Sequence, residues 1–316
     1  MGLTFSAAPE YIANVPMTPM PSSIVRCSAV FAAALLLSNV PVLAQQSPAA
    51  FKLLVSFDYP QSSLTIPHGI DQKGDVAGEF GDITGAHGFI RYRDGSFSPP
   101  ITDPNDQDGE TFALDLNRKA VVGFFFDVTT FTSHSFVLVN GNFIGLDLPG
   151  AVSTQVIGLN SMNDYCGSFD DVSGVTEAFV SIAGHVEEFA IPGATLTTAN
   201  AINDQSSVVG IYEVGDTNNH GFIRDSSGDF VFPIDYPGAT STTTRGINSD
   251  GWIVGSYLDT QSVQRGFLFQ PPNSFVSFTY PDSTLTSLEG INDQAKICGQ
   301  YKDAAGQRHG FILSAR

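Results

Sequence analysis

The sequence predicts an all-β protein, a six-bladed β-propeller. Three observations lead to this fold. A motif recurs six times at intervals of 43 to 47 residues, each copy divides into four short strands, and the two ends of the chain complement each other. Six four-stranded repeats match a ring of six blades. The alternative is a β-solenoid, whose coils are usually shorter and do not need four strands.

Four positions recur in every repeat with this period, and three of them are used below as named anchors. A small residue precedes each Phe anchor, namely Phe89, Phe136, Phe179, Phe222, Phe267 and Phe311. An apolar residue precedes each Asn anchor, namely Asp71, Asn117, Asn160, Asn203, Asn248 and Asn292. The Gly anchors are Gly78, Gly123, Gly167, Gly210, Gly255 and Gly299. The fourth position is a proline, at 60, 104, 149, 192, 237 and 281.

The repeat over residues 238–281 illustrates the strand prediction. Apolar and β-branched runs at 240–248, 252–259, 266–269 and 275–280 are separated by turns rich in Gly, Pro, Asn and Asp. Such punctuation is typical of short antiparallel strands. No helical periodicity appears after residue 44, so the mature chain is predicted to contain strands and turns.

The chain ends predict how the ring closes. The last repeat stops after its third strand, near Ile312 and Leu313, whereas residues 51–58 form a strand without the three that should precede it. This N-terminal strand would complete blade six and remove the open edges of the array. Pro-Gly-Ala loops, as at 149–151, suit the crossover from the outer strand of one blade to the inner strand of the next.

Residues 1–44 are predicted to be a signal peptide. Arg26 precedes a short apolar run, and small residues end it at Val42-Leu43-Ala44. Met20 is the better start, because the first nineteen residues add nothing to the signal. The uninterrupted apolar run is too short to span a membrane. Residues 45–50 would then be a linker and 51–316 the propeller, in a protein that is secreted or periplasmic.

The charge balance limits the partners. The chain has 14 Lys and Arg against 32 Asp and Glu, a net charge of −18. Such an acidic protein is not expected to bind nucleic acid, because phosphate contacts need a basic surface. The 25 Phe and 9 Tyr residues supply a large apolar core, which argues against an intrinsically disordered chain. No membrane span is expected, and we expect a monomer.

Two of the three cysteines test the arrangement of the blades. Cys166 and Cys298 each stand immediately before a Gly anchor, where other repeats have Ala or Val. They lie in repeats three and six, which are opposite each other in a ring of six and too far apart for a disulfide. Both are therefore predicted to be buried, free and unreactive thiols.

The repeat resembles the bacterial extracellular HAF family, whose name comes from a His-Ala-Phe element. The resemblance rests on Gly246-Ile247-Asn248, on Ile253-Val254-Gly255 and on the Phe-anchor segment. The His-Ala-Phe position holds His87-Gly88-Phe89, and equivalent His-Gly-Phe segments stand at 220–222 and 309–311. The resemblance covers about residues 51 to 316 and implies export and a repeated β fold. It supplies no catalytic residue or substrate.

A repeated acid and a repeated histidine flank one hairpin in several blades. We expect each pair to bond locally, to the hairpin backbone or to each other. A ring of metal sites is the alternative, but residues repeated in every blade spread around a ring, whereas metal ligands must converge. The residues are Asp82 with His87, Asp127 with His134, and Asp303 with His309.

Two loop features are candidates for ligand binding. Tyrosines at the crossovers, with neighbouring acids, would present aromatic rings and carboxylates to a sugar or peptide, unless they pack between blades. These residues are Tyr59, Tyr236, Tyr280, Asp58 and Asp235. Separately, the acidic loop at Asp106 and Asp108 is similar to oxygen-rich calcium loops. It lacks the EF-hand pattern, and a solvated turn is the alternative. No other cofactor is expected.

The sequence contains no familiar catalytic motif, and its repeats are nearly regular. We therefore expect an exported, non-enzymatic binding or scaffold module that recognises a glycan or a protein through one face of the propeller. A propeller-type glycan hydrolase or lyase is the first alternative, because its carboxylates could come from different blades. A structural envelope or matrix protein is the second.

Overall fold

The computed structural model describes residues 51–316 apart from positions 108 and 216. The predicted signal peptide at 1–44 and the predicted linker at 45–50 lie outside these residues. In the described part all regular structure is β, with 23 strands. None of it forms a helix of the length and apolarity that crossing a bilayer requires. The predicted all-β fold is confirmed.

The strands form six antiparallel blades. The chain begins with β1 (Phe51–Phe57), followed in blade one by β2 (Leu64–Ile70), β3 (Val76–Asp82) and β4 (Gly85–Arg91). Blade two has β5 (Thr111–Leu116), β6 (Ala120–Asp127), β7 (Thr132–Val139) and β8 (Asn142–Gly145). Blade three has β9 (Ser153–Leu159), β10 (Tyr165–Asp170), β11 (Thr176–Ile182) and β12 (His185–Phe189).

The remaining blades repeat this order. Blade four has β13 (Leu196–Ile202), β14 (Val208–Glu213), β15 (His220–Arg224) and β16 (Phe230–Val231). Blade five has β17 (Ser241–Ile247), β18 (Ile253–Leu258), β19 (Gln264–Gln270) and β20 (Ser274–Phe278). Blade six has β21 (Leu285–Ile291), β22 (Lys296–Lys302) and β23 (Arg308–Ala315). The strands predicted for residues 238–281 agree with blade five to within two residues at each end.

The outer strands are less regular than the predicted four per repeat. In blade one, isolated bridges from Gly88 to Ile101 and from Arg91 to Phe97 replace a continuous fourth strand. Prolines at 99 and 100 lie between these bridges, and proline has no N–H to donate to a ladder. In blade four, β16 is only two residues long and Pro233 follows shortly after it.

The N-terminal strand closes the ring as predicted. β1 pairs antiparallel with β23, from Phe51 opposite Ala315 to Phe57 opposite Gly310, so the first strand of the chain is the outer strand of blade six. The inner strands β2, β5, β9, β13, β17 and β21 contact one another in a closed cycle. This cycle excludes an open solenoid and confirms the propeller. The inner strands lead into the second strands at one end of the ring, the turn end, and receive the crossovers at the other, the crossover end.

A bulge in each inner strand explains the Gly anchors. The pairing with the second strand shifts by one residue in every blade, for example between Thr244 and Gly246. The bulge brings a backbone carbonyl of the inner strand against the Gly anchor. A Cβ at Gly210 would lie 1.9 Å from the carbonyl oxygen of Thr198. It would also lie 2.8 Å from the ring of Phe222, so only glycine fits between bulge and Phe anchor.

The Asn anchors link neighbouring blades. The Oδ1 atom of Asn203 accepts the N–H groups of Gln205 and Ser207 and so caps its own turn. Five of the six anchors are asparagines, and the Nδ2 atom of each of these donates to the backbone oxygen of the next anchor around the ring. The five bonds, donor first, are Asn117 to Asn160 (2.8 Å), Asn160 to Asn203 (3.1 Å), Asn203 to Asn248 (3.0 Å), Asn248 to Asn292 (3.4 Å) and Asn292 to Asp71 (2.9 Å).

The two cysteines of the described chain are free and buried, as predicted. Both are completely shielded from solvent, and burial raises the pKa of each thiol well above its usual value. Cys166 belongs to β10 in blade three and Cys298 to β22 in blade six. Their positions agree with the opposite placement of these blades in the ring.

Candidate functional site

A central cavity of about 770 Å³ opens at the turn end of the ring. All six inner strands contribute to its wall, and the turns that carry the Asn anchors form its rim. Cavities of roughly 300–1,000 Å³ are typical of small-molecule sites in proteins. The closed ring therefore surrounds a pocket large enough for a ligand, on the axis where residues from every blade meet.

The bulged residue of each inner strand lines this cavity. We call these six residues the bulge ring: His68, Leu114, Ile157, Asn200, Arg245 and Glu289. Along each inner strand the order is the bulged residue, a small residue, Ile or Leu, and then the Asn anchor. Blade two is the exception, because Asp115 takes the place of the small residue. The anchors repeat because they build the fold, whereas the bulge ring has a different side chain in every blade.

The bulge ring has a polar arc and an apolar arc. Asn200, Arg245, Glu289 and His68 come from four successive blades, and Leu114 with Ile157 come from the other two. In a ring of six, blade two faces blade five and blade three faces blade six. The apolar pair therefore stands across the cavity from Arg245 and Glu289.

An ion pair dominates the polar arc. Nε of Arg245 lies 3.2 Å from Oε2 of Glu289, whose side chain is 2% exposed. Oε1 of Glu289 accepts a hydrogen bond from Nε2 of Gln300 at 2.8 Å, and Arg308 donates to Gln300 in turn. The Glu289 carboxylate is thereby balanced by one cation and one amide, and its position is set by blade six itself.

Two buried nitrogens of cavity-lining residues lack a hydrogen-bond partner. These are Nε2 of His68 and Nε of Arg245. The nearest acid to the imidazole is Glu79, whose Oε2 lies 3.6 Å from Nε2, beyond hydrogen-bonding distance. The Arg245 nitrogen is close to Glu289 but poorly aligned for a hydrogen bond. Unsatisfied buried polar atoms cost free energy, so a ligand that bonds to them would be favoured.

Asp115 is a partly buried acid in the cavity wall that the sequence analysis did not select. Burial raises the pKa of this carboxyl to about 7, and the negative charge of Asp71 adds to the rise. The N–H groups of Leu159 and Leu116 donate to it and oppose the shift. The clue in the sequence was Asp115-Leu116-Asn117, where blade two departs from the usual small residue before its Asn anchor.

The crossover tyrosines stack on aromatic residues of the second strands. The ring centroids are 3.7 Å apart for Tyr59 and Phe80, 3.7 Å for Tyr236 and Tyr257, and 3.6 Å for Tyr280 and Tyr301. One face of each predicted ligand-binding tyrosine is therefore covered. Packing of this kind was the alternative that the sequence left open, and ligand contact by the remaining ring surfaces stays a prediction.

The acids beside these tyrosines bond to the repeated histidines. Nδ1 of His309 lies 2.9 Å from Asp58, and Nδ1 of His220 lies 2.7 Å from Asp235. In blade two, His134 makes the same contact with Asp147 at 2.8 Å. Each bond joins a crossover loop to a hairpin at the crossover end.

The repeated hairpin acids bond locally. Asp82 accepts from Thr84, Asp127 from Thr129 and Asp303 from Gln307, and these hydrogen bonds lower the pKa of all three carboxyls. Their distances to histidine are 3.6 Å from Asp82 to His87 and 3.5 Å from Asp303 to His309. Among residues 51–316 as described, no group of three or more His, Cys, Asp or Glu residues is arranged to hold a metal ion.

The predicted calcium loop is described only in part. Asp106 accepts hydrogen bonds from the N–H groups of Gly109 and Glu110, at 2.8 Å each, and from the hydroxyl of Thr111. Asp108 lies outside the described residues. The carboxylate of Asp106 caps its own turn, and calcium binding by this loop stays a prediction.

Comparison with known proteins identifies the architecture. No protein-family model and no curated protein sequence matches the chain. AofleA from Arthrobotrys oligospora is similar in structure, with 11% identity, a TM-score of 0.54 and coverage of 84% of this chain and 86% of that protein. A mutant Aleuria aurantia lectin in complex with alpha-methyl-L-fucoside has 11% identity, a TM-score of 0.53 and coverage of 83% and 96%. TolB from Acinetobacter baumannii has 10% identity and a TM-score of 0.47, and the chain spans 66% of its length. The first two likenesses, each with a TM-score above 0.5, agree with a β-propeller fold.

Proposed function

We propose that the protein is an exported, ligand-binding β-propeller and that the central cavity is its binding site. The observation that carries the proposal is the bulge ring. Six equivalent positions of a repeated fold converge on one cavity and differ in every blade. A purely structural ring has no need of such variety at its axis, whereas recognition of an asymmetric ligand does.

The binding role is non-enzymatic in this proposal, and the ligand is a glycan or a protein. The cavity volume of about 770 Å³ would take one or two sugar rings or a few side chains of a protein partner. The Aleuria aurantia lectin in complex with a fucoside supports glycan recognition as a use of this architecture. Export rests on the signal peptide expected at residues 1–44. We further propose that the closed ring acts as a monomer.

The crossover end is a second possible contact surface for the same ligand. Tyr59, Tyr236 and Tyr280 each keep one ring face that the stacked partner does not cover. The cavity is the stronger candidate, because two nitrogens of its lining residues have no hydrogen-bond partner, whereas Asp58 and Asp235 are already bonded to histidines.

Hydrolysis or elimination of a glycan is the second candidate function. One observation favours it: the cavity wall contains Asp115, whose pKa is raised to about 7, together with the ion-paired carboxylate of Glu289. Two carboxyl groups in different environments are the usual requirement for acid–base cleavage of a glycosidic bond. Release of reducing ends or unsaturated products from bound polysaccharides, abolished in Asp115→Asn, would establish this activity. A structural envelope role would show instead as self-association without a soluble ligand.

The binding proposal is tested on arrays of glycans and of peptides, with calcium or EDTA present. Arg245→Gln removes a cation from the bulge ring. Arg265→Gln is the matched control, since this arginine also pairs with one carboxylate, Asp259, but at the crossover end. We expect a ligand whose affinity falls about tenfold or more in Arg245→Gln and not in Arg265→Gln. Equal loss in both variants, or a ligand unaffected by either, would reject the cavity as the site.

A further inference from the structure

We infer that the ligand of the central cavity is an uncharged sugar residue, held with its hydroxyl groups against the polar arc and its C–H surface against Leu114 and Ile157. This inference rests on the proposed function and names the ligand class that the cavity would take. It depends on three features of the cavity: its internal ion pair, its mixture of donors and acceptors, and the placement of its apolar arc.

The cavity lining holds charges of both signs, and Asp115 in its wall adds a carboxyl whose pKa is raised to about 7. In the bulge ring, Arg245 and Glu289 neutralise each other across 3.2 Å. The rim adds the acids Asp71, Asp204 and Asp293 and the bases Arg118 and Lys119. The side-chain Oδ1 atoms of Asp204 and Asp293 also accept the N–H groups of Ser161 and Ser249, which fixes these acids at the rim.

A full charge on the ligand meets a like charge in such a site. A carboxylate or phosphate bound to Arg245 would displace or face the buried carboxylate of Glu289. An ammonium group bound to Glu289 would displace or face Arg245. Either group would break the Arg245–Glu289 pair or meet a like charge beside it, which costs more than the ordinary loss of hydration of a neutral group. The existing ion pair therefore selects against both signs.

Hydroxyl groups match the polar arc. A guanidinium only donates hydrogen bonds, a carboxylate only accepts them, and an amide or imidazole does both. The polar arc contains one of each: Arg245, Glu289, Asn200 and His68. A hydroxyl group both donates and accepts, so neighbouring hydroxyls of one sugar ring satisfy donors and acceptors on successive blades. Nε2 of His68 and Nε of Arg245, which have no hydrogen-bond partner within the protein, belong to this arc.

The apolar arc completes the match to a sugar. Leu114 and Ile157 stand across the cavity from Arg245 and Glu289, as the order of the blades requires. A pyranose carries hydroxyls along its edges and C–H groups on its faces, so it presents both surfaces at once. A fully polar ligand would leave the apolar side chains unpaired, and a fully apolar one would leave the polar arc buried without bonds.

The experiment uses triplets of methyl pyranosides in which a carboxylate replaces the C6 hydroxymethyl group or an ammonium replaces the C2 hydroxyl of the neutral sugar. The full-length protein is titrated with methyl glucoside, methyl glucuronide and methyl glucosaminide, and with the same three forms in the galacto series. Saturation-transfer NMR at millimolar ligand gives the affinities. We expect a neutral member to bind about tenfold or more tightly than its charged counterparts, with this binding lost in Arg245→Gln and retained in Arg265→Gln.

A second variant tests the effect of the ligand's charge. Glu289→Gln removes the carboxylate that opposes an acidic sugar, so the glucuronide should gain affinity relative to the neutral glucoside. If this variant does not fold, as its melting temperature would reveal, the rim variant Asp204→Asn should produce the same shift on a smaller scale. A shift in neither folded variant would contradict the charge argument and overturn the inference.

The remaining outcomes separate the inference from the proposed function. Tighter binding of a charged pyranoside than of its neutral form overturns the inference. So does an array ligand that is sensitive to Arg245→Gln while no pyranoside binds, although the cavity then remains the binding site. If no ligand of any class is sensitive to Arg245→Gln, the proposed function fails together with the inference.

Discussion

At the residue scale, an asparagine at the anchor position makes two kinds of hydrogen bond, of which an aspartate can make only one. Its Oδ1 atom caps the turn after the inner strand, and its Nδ2 atom bonds to the next blade. Asp71 performs the first task, since Oδ1 accepts the N–H groups of Lys73, Gly74 and Asp75. A carboxylate has no N–H, so Asp71 has nothing to donate to Asn117. Five of the six junctions between blades therefore have this bond at the turn end, and the junction between blades one and two lacks it.

Asp71→Asn is expected to supply the missing bond. It should raise the free energy of unfolding by about 0.5–1.5 kcal/mol, the usual net value of one hydrogen bond. The reverse change at an intact junction, Asn203→Asp, should lower it by a similar amount or more. Urea unfolding of the two variants beside the unmodified protein measures both effects. Equal stability of all three proteins would mean that the bonds between anchors contribute nothing.

Asp115 predicts an unusual dependence of stability on pH. Its folded pKa of about 7 lies above the usual 3.8, so the folded protein keeps a proton that the unfolded chain has lost between these values. The free energy of unfolding must then fall as the pH rises from about 4 to about 7. The difference of about three units corresponds to a loss on the order of 4 kcal/mol. The lowered pKa values of Asp82, Asp127 and Asp303 act below this window.

The measurement compares urea unfolding between pH 5 and pH 8 for the unmodified protein and for Asp115→Asn. The variant gives up one acceptor for the N–H groups of Leu159 and Leu116, so its absolute stability is not the readout. The readout is the slope with pH, which should be shallower in the variant over this range. Identical slopes would show that Asp115 does not titrate there.

At the scale of strands, the bulge ties the fold to the site. The extra residue in each inner strand lines the cavity, while the bulge also brings a carbonyl against the Gly anchor of the second strand. The repeated glycines and the variable bulge ring are therefore two results of the same backbone feature. Bulges often reorient a side chain towards a functional position.

Alanine substitution measures how tightly the bulge is packed. Gly210→Ala would place a Cβ 1.9 Å from the backbone oxygen of Thr198, and we expect it to cost about 3 kcal/mol of stability. Gly145→Ala in β8 is the control, because no neighbouring atom lies within 4 Å of a Cβ at that position. Thermal unfolding should leave this control within about 1 kcal/mol of the unmodified protein. Similar losses in both variants would refute the packing explanation.

Some elements were predictable from the sequence and others were not. The anchors predicted the blades, their strands and the closing strand, since a fixed period reflects a repeated backbone. The bulge could not be foreseen, because a one-residue shift within a β strand leaves no mark on the period. The binding site was expected at the crossover end, where Tyr236 and its equivalents are conspicuous. Tyr236 stacks on Tyr257, a partner 21 residues along the chain that only the folded blade brings near.

At the scale of the whole molecule, closure depends on β1. This strand pairs with β23 over its full length, and its last residue, Phe57, is buried against the ring of Phe89 and beneath the guanidinium of Arg91. Phe57 thus connects blade six to blade one at the junction where the chain ends meet. The ring without β1 would expose the edge of β23 and open this junction.

Removal of residues 51–57 from the mature chain should therefore destabilise every blade. We expect loss of the cooperative unfolding transition, or a melting temperature lower by about 10 °C or more. Phe57→Ala, which keeps the backbone pairing, should cost less, about 3 kcal/mol. Differential scanning calorimetry distinguishes the two. A truncated protein that unfolds like the intact one would show that the ring does not depend on this closure.

The central claim is that ligand occupies the cavity at the turn end of the ring. Hydrogen exchange of the protein with and without its best array ligand tests this claim directly. We expect slower amide hydrogen exchange in the segments that form the cavity, with little change at the crossovers. These segments are residues 68–73, 200–205, 245–250 and 289–294. Protection confined to the crossover loops at 58–63, 235–240 and 280–284 would contradict it and would place recognition on the tyrosine-bearing end.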